Sequence, residues 1–409
     1  MNYVILIGIA LFFLASAIRD GAMGWDFRDG QMNFRITDGD YTLRVRGEGD
    51  IDLASDGSGV ATLSSRGSLD VRMTRNGTER RAVFTNPDGT IERQFFLEGD
   101  ERPWGPEADR FVTEVMPIVL RETGINFEER VAWLLQNLGQ HGLLDEIELI
   151  HSDFAQRLYT VEYAKAATIA PADFGRLMRI ANDNMSSDFD LRTTLSEVYD
   201  EEMPTGDQFV ALLAAGTSLS SDFDARTLLE HVGSRMPNTP EATAAYLDLV
   251  RTISSDFDMR LALSPIVARI ELADELVARA IDVGGDAISS DFDLRTLLAE
   301  AAPRVGASDA LARAYTSAAA SISSDFDHRE ALTALAVGGE LTPAGWRLLL
   351  ESAGGISSDF DCATLLEGVA PRLPRDEAVI AAYRATLNTI SNDFDEQRAA
   401  AALLTAGVL

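Results

Sequence analysis

The sequence predicts a mainly α protein: an α-solenoid of helix–turn–helix repeats preceded by a small antiparallel β module. Three observations predict it. The phrase Ser-Ser-Asp-Phe-Asp, in most copies with an Arg two residues later, recurs at a fixed step. Its Phe stands at Phe154, Phe189, Phe223, Phe257, Phe292, Phe326, Phe360 and Phe394, every 34 or 35 residues. Such a period marks stacked supersecondary units that complete one another's cores. Between the phrases, apolar residues keep fixed columns. Ahead of them, residues 24–103 alternate apolar and polar with a period of two.

The β module comes first. Tyr41–Arg46, Ser68–Arg75, Glu79–Thr85 and Thr90–Leu97 carry the alternation. Asp38-Gly39, Asp56-Gly57, Asn76-Gly77 and Asp88-Gly89 separate the runs, and these dipeptides supply the positive φ of tight turns. Six or seven strands in a meander are expected. Leu43, Val45, Leu69, Val71 and Met73 share one face, opposite a face rich in Arg and Asp. Pro103-Trp104-Gly105-Pro106 then breaks the pattern. Residues 104–142 read as two linker helices, the first bent near Pro117 and ended by Gly124, the second capped by Asn126.

The repeats occupy 143–409. In each, Ser and the second Asp of the phrase form a Ser-x-x-Asp capping box, as at Ser255 and Asp258, so a helix begins there. The positions six and nine residues after the Phe stay mostly apolar, as at Leu263 and Ile266. The Phe lies at another angle, so this helix is expected to bury more than one side. Breakers such as Met236-Pro237 and Ala302-Pro303 follow. A second helix leads to the next phrase, with apolar columns eleven and four residues before the Phe, as at Tyr246 and Ile253. Seven residues make two helical turns, so those columns are expected on one helix face. After Phe394 one helix remains, and its run Ala399–Leu404 is nearly all apolar. That end is expected to be covered by a partner, the linker helices or a second copy, self-association through the C-terminal helix.

The chain carries a formal charge of −30. Residues 24–103 hold 15 acids and 11 arginines, whereas residues 104–409 hold 49 acids and 23 basic groups. The acidity belongs to the repeats. It repels phosphate backbones and excludes nucleic acid as a partner. Residues 1–23 read as a signal peptide or membrane anchor: Tyr3–Ile18 is almost continuously apolar, and Ala15-Ser16-Ala17 has the small-x-small pattern of a cleavage site. The bulk is expected in the cell envelope, periplasmic or anchored in the inner membrane.

Catalytic signals are weak. Four His (His141, His151, His231, His328) make no His-Glu-x-x-His. His328 is expected at the surface. The single Cys, Cys362, excludes an internal disulfide and reads as a buried small residue. The paired Asp of each phrase could suggest calcium, but carboxylates at i and i+2 on a helix point apart and no Gly-turned loop accompanies them. Asp188, Asp222, Asp256, Asp291 and Asp325 stand four residues before Arg192, Arg226, Arg260, Arg295 and Arg329. Those residues can pair within a helix or as a ladder between repeats. No catalytic, metal or cofactor residue is assigned.

The stretch Arg80-Arg81-Ala82-Val83-Phe84, then Asp88-Gly89 and Glu92–Gly99, is followed by Val115–Ile125 and by repeats built on Ser-Asp-Phe. This combination resembles a bacterial family of exported proteins, and non-catalytic regions attached to BlaR1-like membrane metallopeptidases, over roughly residues 41–409. The repeats are HEAT-like in layout. The resemblance implies a β module with helical repeats built on Ser-Asp-Tyr or Ser-Asp-Phe. The multispanning protease domain and its zinc motif are missing, so peptidase activity is not implied. The expected function is a non-enzymatic scaffold whose acidic solenoid binds other proteins. The alternative is a sensor or regulatory ectodomain of an envelope-stress or membrane-peptidase system.

Overall fold

The computed structural model describes residues 23–28 and 31–407. The apolar run at residues 3–18, expected to direct export, lies outside them. The chain divides into two compact units, Met1–Met203 and Pro204–Leu409.

In the first unit the strands are β1 (Met23–Arg28), β2 (Gln31–Asp38), β3 (Tyr41–Glu48), β4 (Ile51–Leu53), β5 (Val60–Leu63), β6 (Ser68–Arg75), β7 (Thr78–Thr85), β8 (Glu92–Leu97) and β9 (Asp100–Arg102). Seven of them form one antiparallel meander in the order β1-β2-β3-β6-β7-β8-β9, and β4–β5 is a separate hairpin inserted after β3. Arg75 pairs with Thr78 across a two-residue turn in which Asn76 has φ 50° and Gly77 φ 80°. Positive φ at both central residues matches the twist of the strands, which is why Asn-Gly ends this hairpin. The pairs Leu43–Met73 and Val45–Val71 lie on the apolar face, all fully buried.

That face is covered by α1 (Pro106–Thr123), which adds Phe111, Val115, Met116, Val119 and Leu120 to the same core. The segment expected as a linker helix is therefore part of the β module. A one-sided sheet must cover its apolar face, and the first amphipathic helix after it does so. Gly124, in the left-handed conformation at φ 67°, ends the helix as expected. Pro117 stays inside the helix and faces Gly57, where an added Cβ would come within 2.8 Å of the proline ring.

Next come α2 (Phe127–Glu148), α3 (Asp153–Ala166), α4 (Pro171–Asn184) and α5 (Asp188–Glu202). Gly139, at φ 69° and ψ −176°, kinks α2 into two pieces, so the helix runs through the expected boundary at 142. In this unit α3 packs on α5, and α2 on α4.

The second unit holds α6 (Asp207–Gly216), α7 (Asp222–Gly233), α8 (Pro240–Val250), α9 (Asp256–Val267), α10 (Asp274–Ala287), α11 (Asp291–Val305), α12 (Asp309–Ala319), α13 (Asp325–Gly338), α14 (Pro343–Ala353), α15 (Asp359–Val369), α16 (Glu377–Leu387) and α17 (Asp393–Thr405). Each helix packs against the next but one, so helices that begin at a phrase stack on one another and the intervening helices form the other layer. The mainly α repeat array behind an antiparallel sheet is the predicted fold class.

The apolar columns are buried. Leu229, Leu263, Leu298, Leu332 and Leu366, six residues after the Phe, are inaccessible to solvent. Ile253, Ile288, Ile322, Ile356 and Ile390 are also buried, but they stand at or just past the end of the second helix rather than on it. They fold back from the loop into the core. Pro303 does not break its helix: α11 continues to Val305. One layer is tied to the other by tyrosine. The hydroxyl of Tyr246 on α8 lies 2.6 Å from the carbonyl of Ala262 and 3.1 Å from that of Leu229, on the two neighbouring phrase helices. Tyr383 repeats the arrangement with Ala399 and Leu366.

Candidate interaction face of the repeats

The phrase builds three sets of contacts, and two of them join one repeat to the next. The first is the cap. Ser255 Oγ accepts the N–H of Asp258, and Ser187, Ser221, Ser290, Ser324 and Ser358 cap their helices likewise. Only this half of the expected capping box forms. The serine N–H turns to the preceding repeat, and the second Asp carboxylate accepts from an arginine of that repeat while, at Asp293 and Asp361, its other oxygen accepts the hydroxyl of its own capping serine.

The second set is a clamp. Asp256 accepts the N–H and hydroxyl of Ser289, at 3.2 and 2.8 Å, and the N–H of Ser290, at 2.8 Å. Asp222, Asp291, Asp325 and Asp359 hold the Ser-Ser or Ser-Asn pair of the following phrase in the same way. In the first unit Asp153 clamps Ser186 and Ser187. The loop before each phrase helix thus has its N–H groups satisfied by the preceding repeat, which chain polarity requires of partly buried donors. Surroundings tune these carboxyls. The Ser391 hydroxyl and the N–H groups beside it hold Asp359 below the usual carboxylate range. Burial pushes Asp153 up, against the pull of the same kinds of bond.

The third set is the ladder. Arg226 Nε donates to Asp258 at 2.7 Å, Arg260 to Asp293 at 3.0 Å and Arg329 to Asp361 at 2.9 Å, with Arg295 facing Asp327 at 2.9 Å. In the first unit Arg157 reaches Asp190 at 3.0 Å. Of the two pairings open to these arginines, the inter-repeat one forms. Each guanidinium also lies over the Phe of its own phrase, 4.9 Å away for Arg226 on Phe223 and 5.2 Å for Arg260 on Phe257. Ala363 stands where the Phe360 copy would have Arg, and Arg398 from α17 covers that ring instead, at 5.2 Å.

The phenylalanines themselves are not in the core. Phe223, Phe257, Phe292, Phe326 and Phe360 keep 53–59% of their surface exposed, Phe189 41% and Phe394 72%. Phe154 is half-buried. The expectation that the phrase helix buries its Phe side is overturned. Position −1 of the second Asp lies in the first turn, on the rim of the array, where the ring serves as a platform for Arg.

Other candidates resolve differently. His328 is buried rather than exposed, with Nε2 2.9 Å from Ser352 Oγ, and burial pushes its pKa down. Cys362 is buried and its thiol is pushed up to about 11 by burial, as an inert core residue would be. Asn126 does not cap α2. Its side chain accepts the N–H of Leu53 and donates to Asp52, fastening the β4–β5 hairpin to the helix start. Beside them an open cleft of about 480 Å³ is lined by Asp52, Asp56, Glu129 and Trp133, among others. Among the described residues, no group of three His, Cys, Asp or Glu is placed to hold a metal ion, and no helix is long and apolar enough to cross a membrane.

Two features were not foreseen. Glu122, fully buried at the end of α1, accepts the N–H groups of His151 and Ser152 and meets His151 Nδ1 at 3.0 Å. It takes the place that an Asp holds in every later clamp. On the solvent face of the sheet, Arg35 pairs with Arg44, Arg44 with Arg72 and Arg72 with Arg81, a cross-strand row of four cations. The alternation of Arg in each strand was readable, but its register was not.

Fold and phrase together define a helical-repeat protein with a β module. No protein-family model matches the chain, and no curated protein matches it.

Proposed function

We propose that this protein is an exported or membrane-anchored, non-enzymatic scaffold whose acidic helical array binds other proteins. One observation carries the proposal. A large aromatic is kept in all eight phrases at a position that is exposed in seven of them. Core packing does not require it there, and recurrent exposed aromatics mark interaction surfaces. The rest of the phrase is consumed by caps, clamps and ladder bonds, so its polar groups act in assembling the array. The resemblance to regions of membrane metallopeptidases supports an envelope setting.

The test is crosslinking of the full chain in its own cells, with chains lacking either the sheet or the repeats as controls. Envelope proteins captured through the repeats are the expected result. Capture through the sheet alone replaces the scaffold with a sensor ectodomain, and capture through neither refutes both.

A further inference from the structure

We propose that the phenylalanine row of the second unit docks an extended, basic segment of a partner protein that carries an apolar side chain at every third residue. The inference rests on the scaffold reading and adds the chemistry of the partner. Four observations lead to it.

The rings are open and held. Phe223, Phe257, Phe292, Phe326 and Phe360 each expose more than half their surface. An arginine lies 4.9–5.2 Å from each ring centre and restricts it. A contact surface ordered before binding loses little entropy on binding.

The exposed rings are retained as strictly as the core leucine six residues later, which is Leu in all five copies, and more strictly than another packing position. The buried position nine residues later changes freely among Val, Ile, Ala and Leu in these copies, while the exposed position stays Phe. Even the Phe360 copy, which lacks its own Arg, keeps the ring.

The repeat sets the spacing. The phrase helices α7, α9, α11, α13 and α15 pack side by side, and packed helices lie about 8–10 Å apart. Three residues of polyproline II advance about 9 Å, and three of an extended strand about 10 Å. A two-residue step falls short at roughly 7 Å and a four-residue step overshoots at roughly 13 Å. Only a triplet keeps one side chain on each ring.

The sign of the partner follows from the flanks. Ten Asp bracket these five rings and five Arg cover them, a net charge of −5. Arg226, Arg260 and Arg329 already donate to Asp. The face therefore repels anionic segments and favours Lys or Arg between the apolar contacts.

The experiment measures fluorescence anisotropy of labelled peptides with the full chain. The probes are (Arg-Pro-Leu)4, a four-residue-period control (Arg-Pro-Pro-Leu)3 and an acidic control (Glu-Pro-Leu)4. The protein is compared with the triple variant F257T/F292T/F326T, whose positions are exposed, after both give the same circular dichroism. The triplet peptide is expected to bind, to weaken about tenfold on the triple variant and on the four-residue period, and to be lost with the acidic control. If the triple variant fails to fold, F292T alone is read, with about a threefold loss expected. Equal binding by the parent and the Phe variants, or by both periods, means charge alone and overturns the inference. So does absence of binding at millimolar peptide. None of these outcomes touches the scaffold reading, which fails only if crosslinking captures no protein through the repeats.

Discussion

Glu122 accepts the backbone N–H of Ser152 at 3.2 Å, as Asp153 accepts that of Ser187 at 2.8 Å. The sheet's covering helix thus ends in the same clamp that links one repeat to the next. The β module meets the first phrase as though it were a preceding repeat, with a longer acid reaching from a helix C-terminus.

Removing that acid should be costly. Glu122 is fully buried and holds two backbone donors and a histidine. Glu122→Ala leaves those donors without an acceptor, at about 2–4 kcal/mol. Urea unfolding of the chain should show the loss as a lowered midpoint for the sheet-containing unit. An unchanged midpoint would mean that water replaces the carboxylate.

A single clamp within the array should matter less. Asp256→Ala removes bonds to Ser289 and Ser290 at a half-buried site, where water can compensate in part. The expected cost is about 1–2 kcal/mol. Asp256→Asn should recover part of it, since an amide oxygen still accepts one N–H. Equal loss in both variants would show that charge, rather than hydrogen bonding, is what the clamp uses.

Arg260→Lys tests the ladder and the platform together. Lysine keeps the charge but lacks the Nε–H that meets Asp293 and the planar group that lies over Phe257. A loss of about 1 kcal/mol is expected. A double-mutant cycle with Asp293→Asn should recover most of it as coupling.

Buried His328 and exposed His151 should give opposite pH slopes. Burial lowers the pKa of His328, so its contribution is complete above the unfolded value of about 6.5 and is lost as pH falls below it. The Glu122 bond raises the pKa of His151, so its contribution is complete below about 6.5 and is lost as pH rises through the raised folded value. Thermal melts of His328→Gln should lose the acid-side slope, and those of His151→Gln the slope on the alkaline side. Slopes unchanged from the parent would assign both pH effects to other groups.

On the sheet, Arg44 faces Arg35 on one side and Arg72 on the other. Like charges directly opposed are unfavourable, so R44T should raise stability by about 0.5 kcal/mol at low salt and by less at high salt. A fall in stability would mean that the arginine stems contribute more by covering the sheet than their charges cost.

Most of the architecture was legible because it is written in periodicity. A 34–35-residue step, two-residue alternation and turn dipeptides are local signals, and each reports the face a residue shows. The contacts between repeats were only half legible. Asp256 and Ser290 stand 34 residues apart, and nothing in either phrase says whether the carboxylate turns to its own helix or the next. Phe257 misled for a related reason: a large apolar residue in a phrase reads as core, yet its place in the first helical turn leaves it on the rim. His328 misled in the opposite sense, since its neighbours Asp327 and Arg329 are charged and join the ladder between repeats while its own angle points to Ser352. The approach of Glu122 to Ser152 depends on how α1 crosses the sheet, which no spacing encodes.

In the second unit every clamp and ladder bond points the same way along the chain, from one copy to its successor. The copies at Phe223, Phe257, Phe292 and Phe326, which keep both the clamp Asp and the ladder Arg, are therefore interchangeable: each offers what its neighbours need. Excising or duplicating a whole unit, for instance residues 222–255, rejoins matching ends, whereas excising 222–256 removes Asp256 and leaves Ser289 and Ser290 without their clamp. Array length is free to drift by integer steps, and the reach of the exposed face lengthens or shortens with it.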